Sequence, residues 1–164
     1  MSLTTTIYVD GATAGGRHSG VAAVARTAEG DFVGWYSQRL PRMTNNEAEY
    51  HAALLGLELA AQLGAQRVEI VSDSEVMVRQ MQGHSQVNSS RLQRLHKQTC
   101  QAVRRFEQVT FRHVLREENH LADALAAEAL QGKLVRTSTA AASPGAPATA
   151  GRRWPRLRHL LKRG

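Results

Sequence analysis

The chain has 164 residues, enough for one domain with a real core and too few for two comfortable ones. A single cysteine, Cys100, excludes an internal disulfide and any cysteine-rich zinc site, and it fits a reducing compartment. The net charge of +7 sits entirely in the tail: residues 1–135 hold 14 Lys/Arg against 14 Asp/Glu, so the overall basic balance says nothing about the folded part, and a basic binding face there needs other support.

Leu3 to Val9 alternates through Ile7 and Val9 among β-branched threonines and stops at Asp10-Gly11, which predicts a strand ending in a turn or loop. "GVAAVARTAEGDFVGWYSQRL" predicts two strands, about 20–27 and 31–38, joined at "AEGD" as a hairpin. Trp35 and Tyr36 there read as sheet-packing residues, with base stacking the lesser option. A helix follows over about 45–63, ended by Gly64. "RVEIVSD" is a strand ending at Asp73, "SEVMVRQMQG" a short helix stopped by Gly83, and "NSSRLQRLHKQTCQAVRRFEQ" a longer one with Leu92, Leu95, Thr99, Val103 and Phe106 at helical spacing. "VTFRHVL" is a fifth strand and "EENHLADALAAEAL" the last helix. The order β-β-β-α-β-α-α-β-α predicts an α/β fold: a mixed five-stranded sheet, a three-strand antiparallel meander plus parallel strands, covered by helices.

Residues 1–135 are thus read as one domain. Residues 136–164 are read as a Thr/Ser/Ala/Pro/Gly linker and a basic tail carrying Arg136, Arg152, Arg153, Arg156, Arg158, Lys162 and Arg163. The tail reads either as a solubilising appendage or as a hook for phosphate backbones; a membrane-surface helix is the weaker option. No apolar stretch approaches the roughly 20 residues of a membrane span, and "MSLTTTIYVDG" has no basic region ahead of an apolar one. A soluble, cytoplasmic monomer that does not engage a membrane is expected.

The helix beginning "TNNEAEYHAALLGL" places two carboxylates in its first turns. Thr44 and Glu47 form a capping box. Counting on from Glu47 gives His51, Leu54, Glu58 and Gln62, a mostly wet stripe, whereas Glu49 leads to Ala52, Ala53, Gly56, Leu57 and Ala60, a small apolar stripe suited to packing on a sheet. Glu49 therefore points toward packing, where it must snorkel to solvent, meet a cation, or bind a metal. Three more acids belong beside it. Asp10 and Asp73 end two strands that, if parallel neighbours, share one sheet edge; Asp123 lies on the last helix with Ala126, Ala127 and Leu130 on its side. Singly, Asp10 reads as a turn residue, Asp73 as a helix N-cap and Asp123 as an exposed helix acid. Together, four carboxylates without adjacent Lys or Arg repel one another, and two divalent cations would cancel their charge. Oxygen-only ligands suit Mg²⁺ or Mn²⁺, and a two-metal site suits phosphodiester hydrolysis.

"IYVDGA", "TNNEAEYHAALLGL", "IVSDSEVMVRQ" and "REENHLADALA", in this order, resemble type I ribonuclease H over about residues 5–131. The resemblance implies the ribonuclease H-like fold, with Asp10, Glu49, Asp73 and Asp123 as catalytic metal-binding carboxylates for two Mg²⁺ or Mn²⁺ ions. It places Thr44 near a DNA phosphate and Asn45 and Asn46 near RNA 2′-hydroxyls, the group that distinguishes RNA from DNA. It implies hydrolysis of the RNA strand of RNA/DNA hybrids to 5′-phosphate and 3′-hydroxyl products. Two departures stand out. Many bacterial relatives carry a catalytic His in a longer glycine-containing loop before the last helix. Here "HVLREENHLAD" is short, His113 and His120 are not equivalents, and Arg116 is the candidate for charge handling at the product phosphate. The basic protrusion of some relatives is also missing, because "QMQGHSQVNSSRLQRLHKQ" runs between helices with few charges; the basic tail is the candidate replacement. A hybrid-binding module with weak catalysis and another nuclease on the same fold, a resolvase or exonuclease, are the rival readings. The Asn45-Asn46 pair favours RNA recognition over the latter.

Overall fold

A computed structural model describes residues 3–132 and the backbone of 137–139. Its elements are β1 (Thr4–Thr13), β2 (His18–Arg26), β3 (Phe32–Pro41), α1 (Asn45–Gln62), β4 (Arg67–Ser72), α2 (Glu75–Met81), α3 (Ser90–Val103), β5 (Gln108–His113), a 3-10 turn (Arg116–Glu118), α4 (His120–Leu130) and β6 (Thr137–Thr139). One mixed sheet runs in the order β5-β4-β1-β2-β3-β6. β1, β2 and β3 form the antiparallel meander, and β4 and β5 add in parallel on the other side of β1. The five strands expected from the sequence are all present in the expected mixed arrangement.

Three departures have local causes. β1 does not stop at Asp10-Gly11; it continues to Thr13, paired with Ser19 of β2, so Asp10 lies inside a strand rather than in a turn. The sequence assigns residues 136–164 to linker and tail, but Thr137–Thr139 pair antiparallel with Tyr36, Trp35 and Gly34, adding a sixth strand at the open β3 edge. The rest of that segment, including the basic stretch, lies outside the described residues. The stripe through Glu47, His51, Leu54 and Glu58 is also drier than expected, because α3 packs along it: Arg91 reaches Glu47 at 3.8 Å and Arg105 reaches Glu58 at 3.4 Å.

Alternation along the strands sends Ile7, Val9, Val21, Ala23 and Ala25 to the face covered by α1, and Ala22 and Val24 to the face covered by α4. Two glycines set how closely each helix lies. A Cβ on Gly11 would stand 2.6 Å from the carbonyl carbon of Ala48, and one on Gly20 would run into the Ala126 carbonyl. Only hydrogen there lets α1 press on β1 and α4 on β2. The helices answer with small residues: Ala48, Ala52, Ala53 and Ala60 on α1, and Ala122, Ala126 and Ala129 on α4, all essentially inaccessible. Tyr36 enters the core as expected, while Trp35 meets Phe32 across a tilted 5.5 Å ring contact.

Candidate active site

Tyr8 of β1 pairs with Val71 of β4, so two residues on, Asp10 stands level with Asp73, the first residue past the end of β4. Asp10 points to the side opposite α1, yet Glu49 reaches it, because Gly11 allows α1 to begin directly over that stretch of β1. Glu49 Oε1 accepts from the Gly11 N–H at 3.4 Å, and Glu49 Oε2 is buried without a hydrogen-bond partner. Asp10, Glu49 and Asp73 each offer an oxygen within 4.8 Å of the others.

These contacts decide among the readings left open by the sequence. Glu49 is only 4% exposed, so it does not snorkel. Among the described residues no Lys or Arg forms an ion pair with Asp10, Glu49 or Asp73. Asp73 is not the cap of α2: Ser74 takes that place, its hydroxyl accepting from the Met77 N–H at 3.3 Å. Glu47 is indeed the capping acid, accepting from the Thr44 N–H at 2.8 Å while the Thr44 hydroxyl accepts from the Glu47 N–H at 3.3 Å. Burial opposes the Glu47 charge, but those Thr44 bonds and Arg91 hold its carboxyl below the usual range.

The clustered acids behave oppositely. Burial, then the charges of Glu49 and Asp73, push Asp10 up to about 9. Burial and the charge of Asp73 push Glu49 up to about 8, against the bond from Gly11. A largely buried, oxygen-only set with an unpartnered carboxylate oxygen and no ion-paired cation among the described residues fits a hard divalent ion such as Mg²⁺ or Mn²⁺, whose own charge would reverse those shifts.

Asp123 is not part of this close set. Its carboxylate faces Asp10 electrostatically and is held by Arg116, whose Nη2 donates to Asp123 Oδ1 at 3.1 Å from an exposed position on the 3-10 turn. A residue the sequence reading passed over positions this arm. Asn119, 1% exposed, separates the 3-10 turn from α4, and its amide donates to the Val9 carbonyl at 2.9 Å, one residue before Asp10. That bond divides the single helix expected over "EENHLADALAAEAL" into two pieces. The signal was present inside the "REENHLAD" motif, but an Asn at a helix start reads first as an ordinary cap.

Of the expected substrate-contacting residues, Thr44 and Asn45 line a polar cleft of about 360 Å³, joined by Arg42, Arg91 and His18; Asn46 is exposed nearby. Thr13, on the same strand as Asp10, donates to Asn45 Oδ1 at 3.5 Å. His113 and His120 are both exposed. Cys100 is half-buried, with Sγ 3.8 Å from His96 Nδ1.

The reverse transcriptase-like family profile matches residues 8–129. Ribonuclease HI of Halobacterium salinarum is 36% identical over 126 residues, which cover 75% of this chain and 62% of that protein. A bifunctional protein of Mycobacterium tuberculosis is 33% identical over 158 residues, 88% of this chain and 42% of its own length. The chain thus spans between two fifths and two thirds of these relatives. Among solved structures, LC11-RNase H1 in complex with an RNA/DNA hybrid superposes with a TM-score of 0.74 at 30% identity, covering 78% of this chain and 97% of that one. The N-terminal RNase H domain of the mycobacterial protein superposes with a TM-score of 0.76 at 32% identity, covering 80% and 96%.

Proposed function

The chain belongs to the type I ribonuclease H family, and from that premise we propose that it is a metal-dependent endonuclease hydrolysing the RNA strand of RNA/DNA hybrids. The observation that carries this reading is the convergence of Asp10, Glu49 and Asp73 within 4.8 Å, the first two buried, the third half-buried, and none paired with a cation among the described residues. In it, residues 1–135 form the catalytic unit, and Asp10, Glu49, Asp73 and Asp123 would hold two Mg²⁺ or Mn²⁺ ions. Bound there, the ions would supply activation of the attacking water and charge neutralisation at the scissile phosphate and leaving oxygen.

The protein's own groups do the positioning. The Gly11 N–H donates to one Glu49 oxygen, and the other is buried with no hydrogen-bond partner. Asn119 ties the start of α4 to β1, which sets where Asp123 stands. Arg116, exposed and paired to Asp123, offers a guanidinium to the product phosphate, a task to which its planar fork is suited. Thr44, Arg42 and Arg91 supply donors for a phosphate backbone in the cleft, and the Asn45 and Asn46 amides can donate to and accept from a 2′-hydroxyl. That LC11-RNase H1 was solved on an RNA/DNA hybrid supports the same substrate here.

Cleavage of an RNA/DNA hybrid, duplex DNA, duplex RNA and a four-way junction, each with and without Mg²⁺ or Mn²⁺, tests the reading. The expected result is metal-dependent cutting of the RNA strand of the hybrid alone. Cutting of the junction or of duplex DNA in preference would assign the site to another nuclease, and binding without cutting would make it a hybrid-binding module.

A further inference from the structure

Between Ser90 and Arg105 the chain carries five cations, Arg91, Arg94, Lys97, Arg104 and Arg105, and no acid. At about 100° per residue Arg91, Arg94 and Lys97 fall on one side of α3, with Leu92, Leu95, Thr99 and Val103 on the other, and Arg104 and Arg105 follow directly at its C-terminal end. The structure agrees: the five cations are exposed, while Leu95 and Thr99 are buried. The two end residues are pinned to α1, Arg91 through Glu47 and Arg105 through Glu58. Among the described residues no carboxylate lies within ion-pair distance of Arg94, Lys97 or Arg104. Arg91 also lines the polar cleft with Arg42 and Thr44, so the basic face begins at the cleft and runs away from it along the helix. At 1.5 Å per residue that is roughly 20 Å. Because residues 1–135 sum to zero charge, this face is a local concentration, not a sample of a uniformly basic surface.

We propose that the outer face of α3 is a phosphate track that takes the backbone of the hybrid beyond the stretch lying in the cleft. The inference rests on the proposed hybrid substrate and adds to it a second, distal contact region. A face of cations and glutamines, with the apolar side turned inward against α1, matches a run of phosphates and offers nothing to a lipid interior. Contacts of this kind are point-charge contacts: they set affinity and salt dependence and carry no base information.

The test compares the full chain with its Arg94→Gln/Lys97→Gln/Arg104→Gln variant, and with a charge-keeping Arg94→Lys/Lys97→Arg/Arg104→Lys variant. Affinity is measured across a salt series for a hairpin-closed hybrid of about six base pairs and a hybrid of about eighteen. On the long hybrid the neutralised variant is expected to bind about tenfold or more weakly, with a log affinity against log salt slope shallower by about 2. The short hybrid should show little change, and the charge-keeping variant should match the parent. Equal affinity and slope on the long hybrid would overturn the track, as would an equal loss on both lengths or a loss in the charge-keeping variant. A parent chain that binds no hybrid at either length would instead overturn the functional reading beneath it.

Discussion

At the scale of single residues, the acid cluster is a place where folding works against charge. Asp10 and Glu49 have carboxyl pKa values raised to about 9 and about 8, by burial first, then by the charges of Glu49 and Asp73 on Asp10 and by the charge of Asp73 on Glu49. A raised carboxyl pKa means that the folded state prefers the proton. The stability these groups contribute is complete below their unfolded pKa, near 4, and is lost as pH rises through 8 and 9. In metal-free protein, Asp10→Asn should therefore raise the melting temperature at pH 8 by several degrees, with the gain shrinking as pH falls toward 5. Millimolar Mg²⁺ or Mn²⁺ should raise the melting temperature of the parent at pH 8, and that of Asp10→Asn less. Thermal melts at two pH values with and without the ions check both; a parent indifferent to the ions, or an asparagine variant melting below it without metal, would count against a strained carboxylate site. The choice of Glu49 over Glu47 was legible in the sequence, because helical spacing alone assigns one acid to the cap and the other to the packed face. The roles of Asn119 and Arg42 were not, because each depends on which strand or loop the fold brings beside it.

At the scale of elements, the site exists because two helices lie unusually close to the sheet. Gly11→Ala would drive a methyl into the Ala48 backbone, and the helix carrying Glu49 would have to lift from the strand carrying Asp10. A cost of about 1–3 kcal/mol in stability is expected, with loss of hybrid cleavage, whereas Gly16→Ala, whose Cβ meets nothing within 4 Å, should melt like the parent. Denaturant unfolding of the two variants checks the difference. The sequence showed these strands and helices through period and punctuation, including the capping box and the turn at Gly30. It showed their limits less well. β1 runs past Asp10 because β2 offers it partners as far as Ser19, and the α1 stripe is dry because α3 covers it; both are properties of neighbours distant in the chain. β6 was illegible for the same reason, its three residues being strand only against the β3 edge.

At the scale of the whole molecule, charge is segregated. The folded part sums to zero with a basic face along α3, and residues 136–164 hold seven cations and no acid. β6 runs antiparallel to β3, so at Thr139 the chain heads away from the edge carrying Asp10 and Asp73. Deleting residues 140–164 keeps β6, removes six of the seven tail cations, and leaves every cluster acid in place. Weaker hybrid binding, a shallower salt dependence and unchanged turnover at saturating substrate are expected, equally for hybrids of unrelated sequence; titrations at two salt concentrations decide it, and equal affinities would make the tail a solvated appendage. The central claim, that the acids brought together where Asp10 of β1 stands level with the end of β4 form a metal-dependent hydrolytic site, is tested most directly by hybrid cleavage rates of the parent, Glu49→Gln and Glu47→Gln with and without Mg²⁺ or Mn²⁺. Cleavage is expected only with the ion, with its loss by orders of magnitude in Glu49→Gln and its retention in Glu47→Gln, which gives up at most about 1 kcal/mol of stability through the capping box. Undiminished cleavage in chelator, or a dead Glu47→Gln beside an active Glu49→Gln, would contradict it.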